Sequence, residues 1–419
     1  MRRIGFFLAM VLAGSPLAAQ TTESADIPVG GQTGDLPVAT GQSFIIPDVA
    51  ASPVKPAHDR AFTIRPHLVL LLDHTGFEQD EASQSQVGEQ EDQWELRAAR
   101  LQLLGTIGTH YRVSYQVSGE YKGFDGDPDT EWQLTDLNLS LPIGAGAKLI
   151  LGKQKQTFAY EMVGDAANLA SSERVLSPFF VSRNTGARLL AAIGPRKMAT
   201  FSVGFYNTAW DIQAAEQRGM DVTARGTVLL WDDPERHNFL HLGLSGRFVG
   251  SEGQLRYRGR PGSNVATNFV DTGHFDADGA FHTGLEAMLG LGPVQFAGEY
   301  VVAEVDSPET GNPRFDGWYL TASWVLTGEA RPYDRNVGYA RRVIPNGRWG
   351  APEIALRYAK VDLDDADVAG GAFDRVDVGL NWWATRRWKA GVVWGRVWLD
   401  RFGVEGRTDT LLTRVQWVY

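Results

Sequence analysis

Apolar and polar residues alternate along much of the chain after Ala61. Clear examples run over residues 111–122, 240–248 and 294–300, where every second residue is apolar or glycine and those between are mostly polar or small. Because successive side chains of a β-strand point to opposite faces, each stretch predicts a strand with one apolar and one polar face. The pattern therefore predicts an all-β protein.

Three features favour a transmembrane antiparallel β-barrel over a soluble β-sandwich, which also produces alternation. The predicted strands reach about ten residues or more, the length that crosses a bilayer at a tilt. Short connections, such as residues 194–197 and 384–387, alternate with long polar ones over residues 73–93, 153–184 and 250–280, as short periplasmic turns and long outer loops do. Tryptophans gather near strand ends, as in interfacial girdles: Trp382, Trp383, Trp388, Trp394, Trp398 and Trp417.

The strand count is expected to be about 16, with 18 as the alternative. Seventeen stretches qualify, but the weakest, Leu255 to Gly259, is short and interrupted by Arg260 and Pro261. Assigning it to an outer loop leaves an even number and keeps the alternation of short and long connections. The exception is Glu329 to Trp349, a long connection at the end where short turns are expected. The closing Val415, Trp417 and Tyr419 resemble the C-terminal signal that the outer-membrane assembly machinery reads.

The N-terminus predicts export. Two arginines, an apolar run from Ile4 to Ala13 and small residues before Gln20 are typical of a secretory signal peptide. We therefore predict a signal peptide over residues 1–19, a flexible segment rich in Gly, Pro, Ser and Thr over residues 20–60, and a barrel domain over residues 61–419.

Composition and motifs argue against several functions. The 419 residues contain no cysteine, which excludes disulfides and thiolate chemistry, and 43% hydrophobic content excludes a multi-helix membrane protein. A net charge of −10 argues against nucleic acid as a partner. No phosphate loop, nucleophile elbow or zinc motif is present, so we predict no enzyme activity, no cofactor and no metal centre. Asp125, Asp127 and Asp129 suggest a calcium loop, but the required Gly and the twelfth-position Glu are absent, which favours an acidic outer loop. Such a loop could still bind divalent cations that bridge lipopolysaccharide.

An ordered set of stretches resembles the phosphate-selective porin O/P family of Gram-negative outer membranes. The resemblance runs from about Phe62 to Tyr419 and is clearest at Gly317-Trp318-Tyr319 and over residues 326–333. It continues in the following stretches: residues 256–261, 356–358, 379–382 and 414–416, with Glu173-Arg174 and residues 183–186. The resemblance implies a 16-stranded homotrimeric pore of the outer membrane, in contact with its lipid and lipopolysaccharide, that passes phosphate or other small anions.

Candidate anion-pathway residues follow from charge placement and from the resemblance. Arg256, Arg258 and Arg260 have a spacing of two and point the same way in an extended chain, and the resemblance implies an arginine ladder there. The segment from Lys153 to Arg183, with Lys155 and Arg174, is the candidate constriction loop. Arg112, Lys122 and Arg247 lie on polar faces that we expect to face water. Arg97 and Arg100 are three residues apart, so one must lie at a bulge or near the membrane interface.

Two departures from the family pattern put high phosphate specificity in doubt. Ala98 follows Arg97 where the resemblance implies a second arginine, and Gln116 stands where it implies a carboxylate. The leading hypothesis is therefore a weakly selective anion channel. A structural barrel with a plugged lumen and a barrel enzyme using His67 or His74 remain the alternatives.

Overall fold

The computed structural model describes residues 61–109, 111–121, 132–144, 146–207 and 219–419. The predicted signal peptide, the flexible segment, Lys122 and the three aspartates of residues 125–129 lie outside these ranges, so these predictions stay open. Among the described residues, no helix is long and apolar enough to cross a membrane.

Sixteen antiparallel strands close into one barrel within the described ranges, each paired with its neighbours in chain order and β1 with β20. They are β1 (Phe62–Gln79), β2 (Gln93–Ile107), β3 (Val113–Tyr121), β4 (Trp132–Gly144), β5 (Ala147–Lys155), β6 (Arg183–Ile193), β7 (Ala199–Asn207), β8 (Met220–Asp233), β9 (Asn238–Leu255), β12 (Phe275–Leu291), β13 (Val294–Asp306), β14 (Arg314–Val325), β17 (Ala351–Asp365), β18 (Val368–Trp383), β19 (Trp388–Arg401) and β20 (Val404–Val418). The predicted all-β barrel of 16 strands is confirmed.

The remaining elements are short and lie in the connections. Two two-residue ladders pair β10 (Arg258–Gly259) with β11 (Val270–Asp271) and β15 (Tyr333–Asp334) with β16 (Tyr339–Ala340). The helices are α1 (Glu81–Val87) and α2 (Tyr160–Val163), with 3-10 turns at Ala166–Asn168, Ser177–Phe179 and Pro308–Thr310. Leu255 to Gly259 is therefore not a barrel strand, because Leu255 ends β9 and the other residues belong to the connection after it.

The connections differ in length between the two ends of the barrel. One end carries short turns such as residues 194–198, 292–293 and 384–387, together with the long connection of residues 326–350. The other end carries residues 80–92, 156–182 and 256–274. The expected long connections and the predicted exception are both present, but residues 366–367 and 402–403 are two-residue turns at the end that carries the long connections. The long loops are shorter than predicted because the strands continue, with polar residues, beyond the length that spans the bilayer.

Exposure alternates along the strands as expected for a barrel in lipid. On β17, Leu356 is 51% exposed, whereas its neighbours Ala355 and Arg357 are buried. Apolar side chains cover the outside and polar ones fill the inside, because lipid solvates only the former. Trp383 departs from its predicted place in an interfacial girdle: it is fully buried inside, while its neighbour Trp382 is exposed.

A β-bulge at Arg97 resolves the spacing of the two arginines on β2. Leu71 of β1 pairs with Ala98 and the next residue, Leu72, pairs with Leu96, so Arg97 is the extra residue. The bulge shifts the face of the strand by one position, which lets Arg97 and Arg100 both reach inward partners. The predicted irregularity is confirmed.

Leu320, on the outer face of β14, offers a test of the lipid-facing surface. It is 61% exposed and lies near the middle of the strand. Leu320→Arg is expected to destabilise the folded barrel by about 2–4 kcal/mol, because a charge at the bilayer midplane loses its hydration. Reversible folding into vesicles under denaturant titration measures this change.

Leu326→Arg, just beyond the end of the same strand, is the matched control. Leu326 is also exposed, but near the interface the same substitution costs only about 0–1 kcal/mol. Equal losses at the two positions would contradict the placement of this face in lipid.

Candidate functional site

Three connections leave the rim of the barrel and fold into its interior. We call residues 156–182 the first inward segment, residues 256–274 the second and residues 326–350 the third. We call the end of the barrel that carries residues 80–92 the long-loop end and the end that carries residues 194–198 the short-turn end. The first two segments start at the long-loop end and the third starts at the short-turn end. Together they determine which charged groups an ion in the lumen meets.

The first inward segment starts between β5 and β6 and reaches the far wall. Gln156 donates to Asp221 of β8, and the backbone N–H groups of Tyr160 and Glu161 donate to Glu299 of β13. Farther along, Asn381 of β18 donates to the carbonyl of Ala170 and Gln416 of β20 to that of Ala167. Most of the segment is buried by these contacts.

Basic side chains fix the first inward segment by donating to its carbonyl oxygens. Such charge-assisted bonds are stronger than neutral ones and satisfy a chain that has no sheet partner. The donors and their acceptors are Lys155 and Arg174 to Gly164, Arg247 to Phe179, Arg331 to Asn168, Arg357 to Glu173, Lys389 to Leu169 and Arg414 to Ser172. Lys155 and Arg174, which were predicted to line the pathway, therefore have a structural role.

Glu173 ties the first inward segment to two strands. Its carboxylate accepts two hydrogen bonds from Arg97 of β2, at 2.9 and 3.2 Å, and also contacts Arg414 of β20. Arg414 in turn donates to Asp73 of β1 at 2.7 Å. Burial would raise the pKa of Glu173, but the charges and hydrogen bonds of the two arginines outweigh it and lower the pKa to about 2.

The second inward segment spans the barrel at the long-loop end. It starts after β9, the ninth strand of the ring of sixteen, and reaches β1 and β2 on the opposite side. There Ser263 donates to Thr75 at 3.1 Å and Asn264 to Glu95 at 2.7 Å. Its backbone therefore crosses the mouth of the lumen.

The three arginines of the second inward segment share one side of the chain. Arg256, Arg258 and Arg260 alternate with buried Tyr257 and Gly259, as predicted from their spacing. Arg256 forms an ion pair with Asp271 at 2.5 Å, whereas Arg258 and Arg260 are exposed. Arg260 donates to the neutral side chain of Asn264 at 3.1 Å.

The third inward segment enters from the opposite end and reaches β8 and β9. Arg225 of β8 donates to the carbonyls of Val337 and Gly338 at 3.0 and 2.8 Å, and Arg335 donates to Asp232 at 2.7 Å. The sequence predicts an unusually long connection here but no role for it. The sequence feature that points to a role in the lumen is the segment's content of five arginines: Arg331, Arg335, Arg341, Arg342 and Arg348.

The first and third inward segments meet inside the barrel. The rings of Tyr160 and Tyr339 lie 5.0 Å apart, and Arg331 donates to the carbonyl of Asn168 at 2.8 Å. A β-carbon added at Gly164 would lie 2.3 Å from the Tyr339 ring, so only glycine allows this approach. The lumen is thus narrowed from both ends.

The other candidate residues lie in several places. Arg97 and Arg100 face inward and pair with Glu173 and Glu120. Arg174 lies within the first inward segment and shares the Gly164 carbonyl with Lys155. Arg183 starts β6 and pairs with Asp136 of β4 at 3.1 Å.

Lys153, Lys155 and Arg112 require corrections to the predicted boundaries. Lys153 and Lys155 belong to β5, so the loop begins after them. Lys153 lies opposite Leu137, whose side chain is 51% exposed on the outer face, so it does not join the inward cluster. Arg112 lies in the turn between β2 and β3, at the short-turn end, and not on a strand.

The two positions that depart from the family pattern carry no charge inside the barrel. Ala98 packs with Val69, Leu71 and Val418 against Ala167 of the first inward segment. Gln116 is buried and donates to Ser118 at 3.2 Å. Closely packed apolar groups therefore occupy the place where the resemblance implies a second arginine.

Comparison with solved structures gives the same architecture. The anion-selective porin from Comamonas acidovorans superposes with a TM-score of 0.51 at 12% identity, over 85% of this chain and 100% of that one. OmpT of Vibrio cholerae gives 0.53 at 9% identity, over 86% and 98%, and OprB of Pseudomonas putida gives 0.53 at 6%, over 86% and 94%. At these identities the likeness concerns the fold.

Sequence comparison identifies the family. A protein of Caulobacter vibrioides described as uncharacterized is 29% identical over 152 residues, which cover 34% of this chain. This chain spans about a third of that relative's length, 31%. The family described as "Phosphate-selective porin O and P" matches residues 72–418, most of the chain. The chain therefore belongs to the phosphate-selective porin O and P family and is a porin of the Gram-negative outer membrane.

Proposed function

We propose that the protein is a passive, anion-preferring diffusion channel that discriminates only weakly in favour of phosphate. The observation that carries this proposal is the second inward segment, which holds Arg258 and Arg260 exposed across the mouth of the lumen. Positive groups in a water-filled passage lower the barrier for anions and raise it for cations.

Weak discrimination follows from the charge balance deeper inside. Arg97, Arg100 and Arg183 are paired with carboxylates, and Ala98 and Gln116 add no charge. A paired guanidinium offers fewer free donors to a passing phosphate than an unpaired one. We therefore infer a pathway that attracts anions in general and holds no single one tightly.

Three further parts of the proposal rest on the family. We infer that the channel is a homotrimer, that its outer face contacts lipid and lipopolysaccharide, and that it transports solutes and does not catalyse a reaction. Cross-linking of the protein in its membrane tests the first part, since a monomer-only pattern would contradict it.

Planar-bilayer recording of the refolded protein tests the proposal. In a KCl gradient we expect a reversal potential of the sign set by chloride, and inorganic phosphate is expected to reduce the current only at millimolar concentration or above. Block at micromolar phosphate would show a specific site and contradict weak discrimination. A cation-selective reversal potential would contradict anion preference.

A structural barrel is the second candidate, and one observation favours it. Inward arginines form a dense set of ion pairs, among them Arg357–Asp377 at 2.7 Å and Arg225–Glu286 at 2.6 Å, and the inward segments are largely buried. Such packing also suits a closed lumen. The same bilayer recording separates the two candidates, because a closed barrel inserts without conductance.

A further inference from the structure

Three cationic side chains surround the indole ring of Trp383 inside the barrel. The Arg331 and Arg342 guanidinium carbons lie 5.4 and 5.5 Å from the ring centroid, and the Lys389 ammonium lies 4.7 Å from it. Cations are attracted to the negative face of an aromatic ring, which helps to hold three like charges together. Trp383 ends β18, so the cluster lies towards the short-turn end.

Two of these cations have acceptors within the protein. Arg331 donates to Glu353 at 2.6 Å, and Lys389 donates to the carbonyl of Leu169 at 2.9 Å. Glu353 also accepts from the Trp383 indole N–H at 2.9 Å and from Asn381 at 3.3 Å. Its two oxygens are therefore occupied and do not reach the third cation.

Arg342 is the exception. It is only 3% exposed, and none of its three side-chain nitrogens has a hydrogen-bond partner among the described residues. Asp165 acts on Arg342 electrostatically but accepts no hydrogen bond from it. Burial lowers the pKa of Arg342 to about 10, so it stays protonated at neutral pH. A buried guanidinium without acceptors is costly, and each such group calls for an explanation.

We propose that Arg342, with Lys389 and Arg331 around Trp383, forms a binding site for a tetrahedral inorganic oxyanion such as phosphate. The guanidinium fork matches two oxygens of an oxyanion, and Lys389 adds a point charge. The three cations outnumber the two carboxylates that act on them, because Glu353 binds Arg331 and Asp165 acts on Arg342. The site rests on the proposed anion channel and deepens it, because it gives the short-turn end of the pathway its own place for an anion to pause.

Phosphate binding to the refolded, detergent-solubilised protein tests this site without relying on current. We expect Arg342→Gln to weaken phosphate binding measured by calorimetry about tenfold or more, because charge-assisted hydrogen bonds to the anion are lost. Arg348→Gln is the matched control: Arg348 belongs to the same inward segment but is exposed over Trp349. It is expected to bind phosphate as the unchanged protein does.

Arg342→Lys keeps the proposal testable if the glutamine variant does not fold. It retains the charge but not the fork, so we expect weakened binding in a protein whose electrophoretic mobility still shifts on heating. Unchanged phosphate affinity in a folded Arg342 variant, or equal losses in the Arg342 and Arg348 variants, would overturn the site. A reversal potential at zero in the unchanged protein would instead overturn the anion channel, whatever calorimetry shows.

Discussion

Replacing both Arg258 and Arg260 by glutamate is expected to reduce the anion-to-cation permeability ratio on the order of tenfold in about 0.1 M salt. Both side chains are exposed on the segment that crosses the mouth, so the change exchanges two positive charges for two negative ones beside the ion path. Each unit charge several Å from an ion contributes about 0.5 kcal/mol in water, and the four-unit change is partly screened. The reversal potential in a KCl gradient measures the result.

The matched control makes the same change of charge away from the mouth. Arg236 and Arg386 lie in short turns at the other end and are exposed, so Arg236→Glu with Arg386→Glu changes net charge equally. We expect a much smaller shift in permeability ratio from this pair. If the two double variants behaved alike, selectivity would reflect overall charge and the arginines at the mouth would have no special role. Raising the salt concentration should shrink both effects, since screening lengths shorten.

Glu173→Gln is expected to release the first inward segment from the wall. The substitution leaves Arg97 partly buried without its carboxylate and removes one of the two carboxylates that contact Arg414. Removing one partner of a buried ion pair costs about 3 kcal/mol, which raises the opened fraction of the segment roughly a hundredfold. Trypsin cleavage after Arg174 and single-channel current noise should both increase.

Asp409→Asn is the control for Glu173. Asp409 binds Arg396 through two hydrogen bonds of 2.7 Å, the same paired geometry, but the pair is half-buried and lies on the outer side of the barrel. Because this pair lies outside the barrel, its loss does not release the first inward segment, so we expect no change in cleavage after Arg174 or in current noise. Similar behaviour of the two variants would mean that Glu173 does not anchor the segment.

Acid supplies an independent check on the same anchor. Because the folded protein lowers the pKa of Glu173 to about 2 from an ordinary value of 4.5, its stabilisation is complete above pH 4.5 and is lost as the pH falls towards about 2. Cleavage by an acid-active protease should therefore rise across that interval in the unchanged protein. The Glu173→Gln variant should lack this component, since its side chain does not titrate.

Local alternation was sufficient to predict the barrel. A period of two fixes which side chains share a face, and only a closed barrel satisfies long strands with one apolar face in lipid. The same reasoning required that Arg97 or Arg100 lie at a bulge or near the interface, and it identified Glu329 to Trp349 as an unusually long connection. These features depend on neighbours in the chain, so sequence spacing carries them.

The ion pairs that form inside the lumen join residues that are far apart in the chain, so sequence spacing does not predict them. Spacing indicated that Arg97 or Arg100 lies at a bulge or near the interface, but not that Arg97 would bind Glu173, a residue of the first inward segment. Trp383 was predicted to lie in an interfacial girdle together with Trp382. Neighbouring residues of a strand point to opposite faces, however, so Trp382 faces lipid and Trp383 faces the lumen. The length and arginine content of the third inward segment are visible in the sequence, but the burial of Arg342 without an acceptor is not, because it depends on residues far apart in the chain.

The sequence by itself thus determined the strand pattern, the barrel and the common direction of Arg256, Arg258 and Arg260, because each follows from local periodicity. Only the tertiary structure decided which basic groups remain available to an anion. An inward charge attracts ions only if no carboxylate or carbonyl already binds it, and those partners come from connections folded across the barrel. Closure of the sixteen strands brings the basic groups and these partners together, although they are far apart in the chain, so local sequence patterns do not predict the pairs.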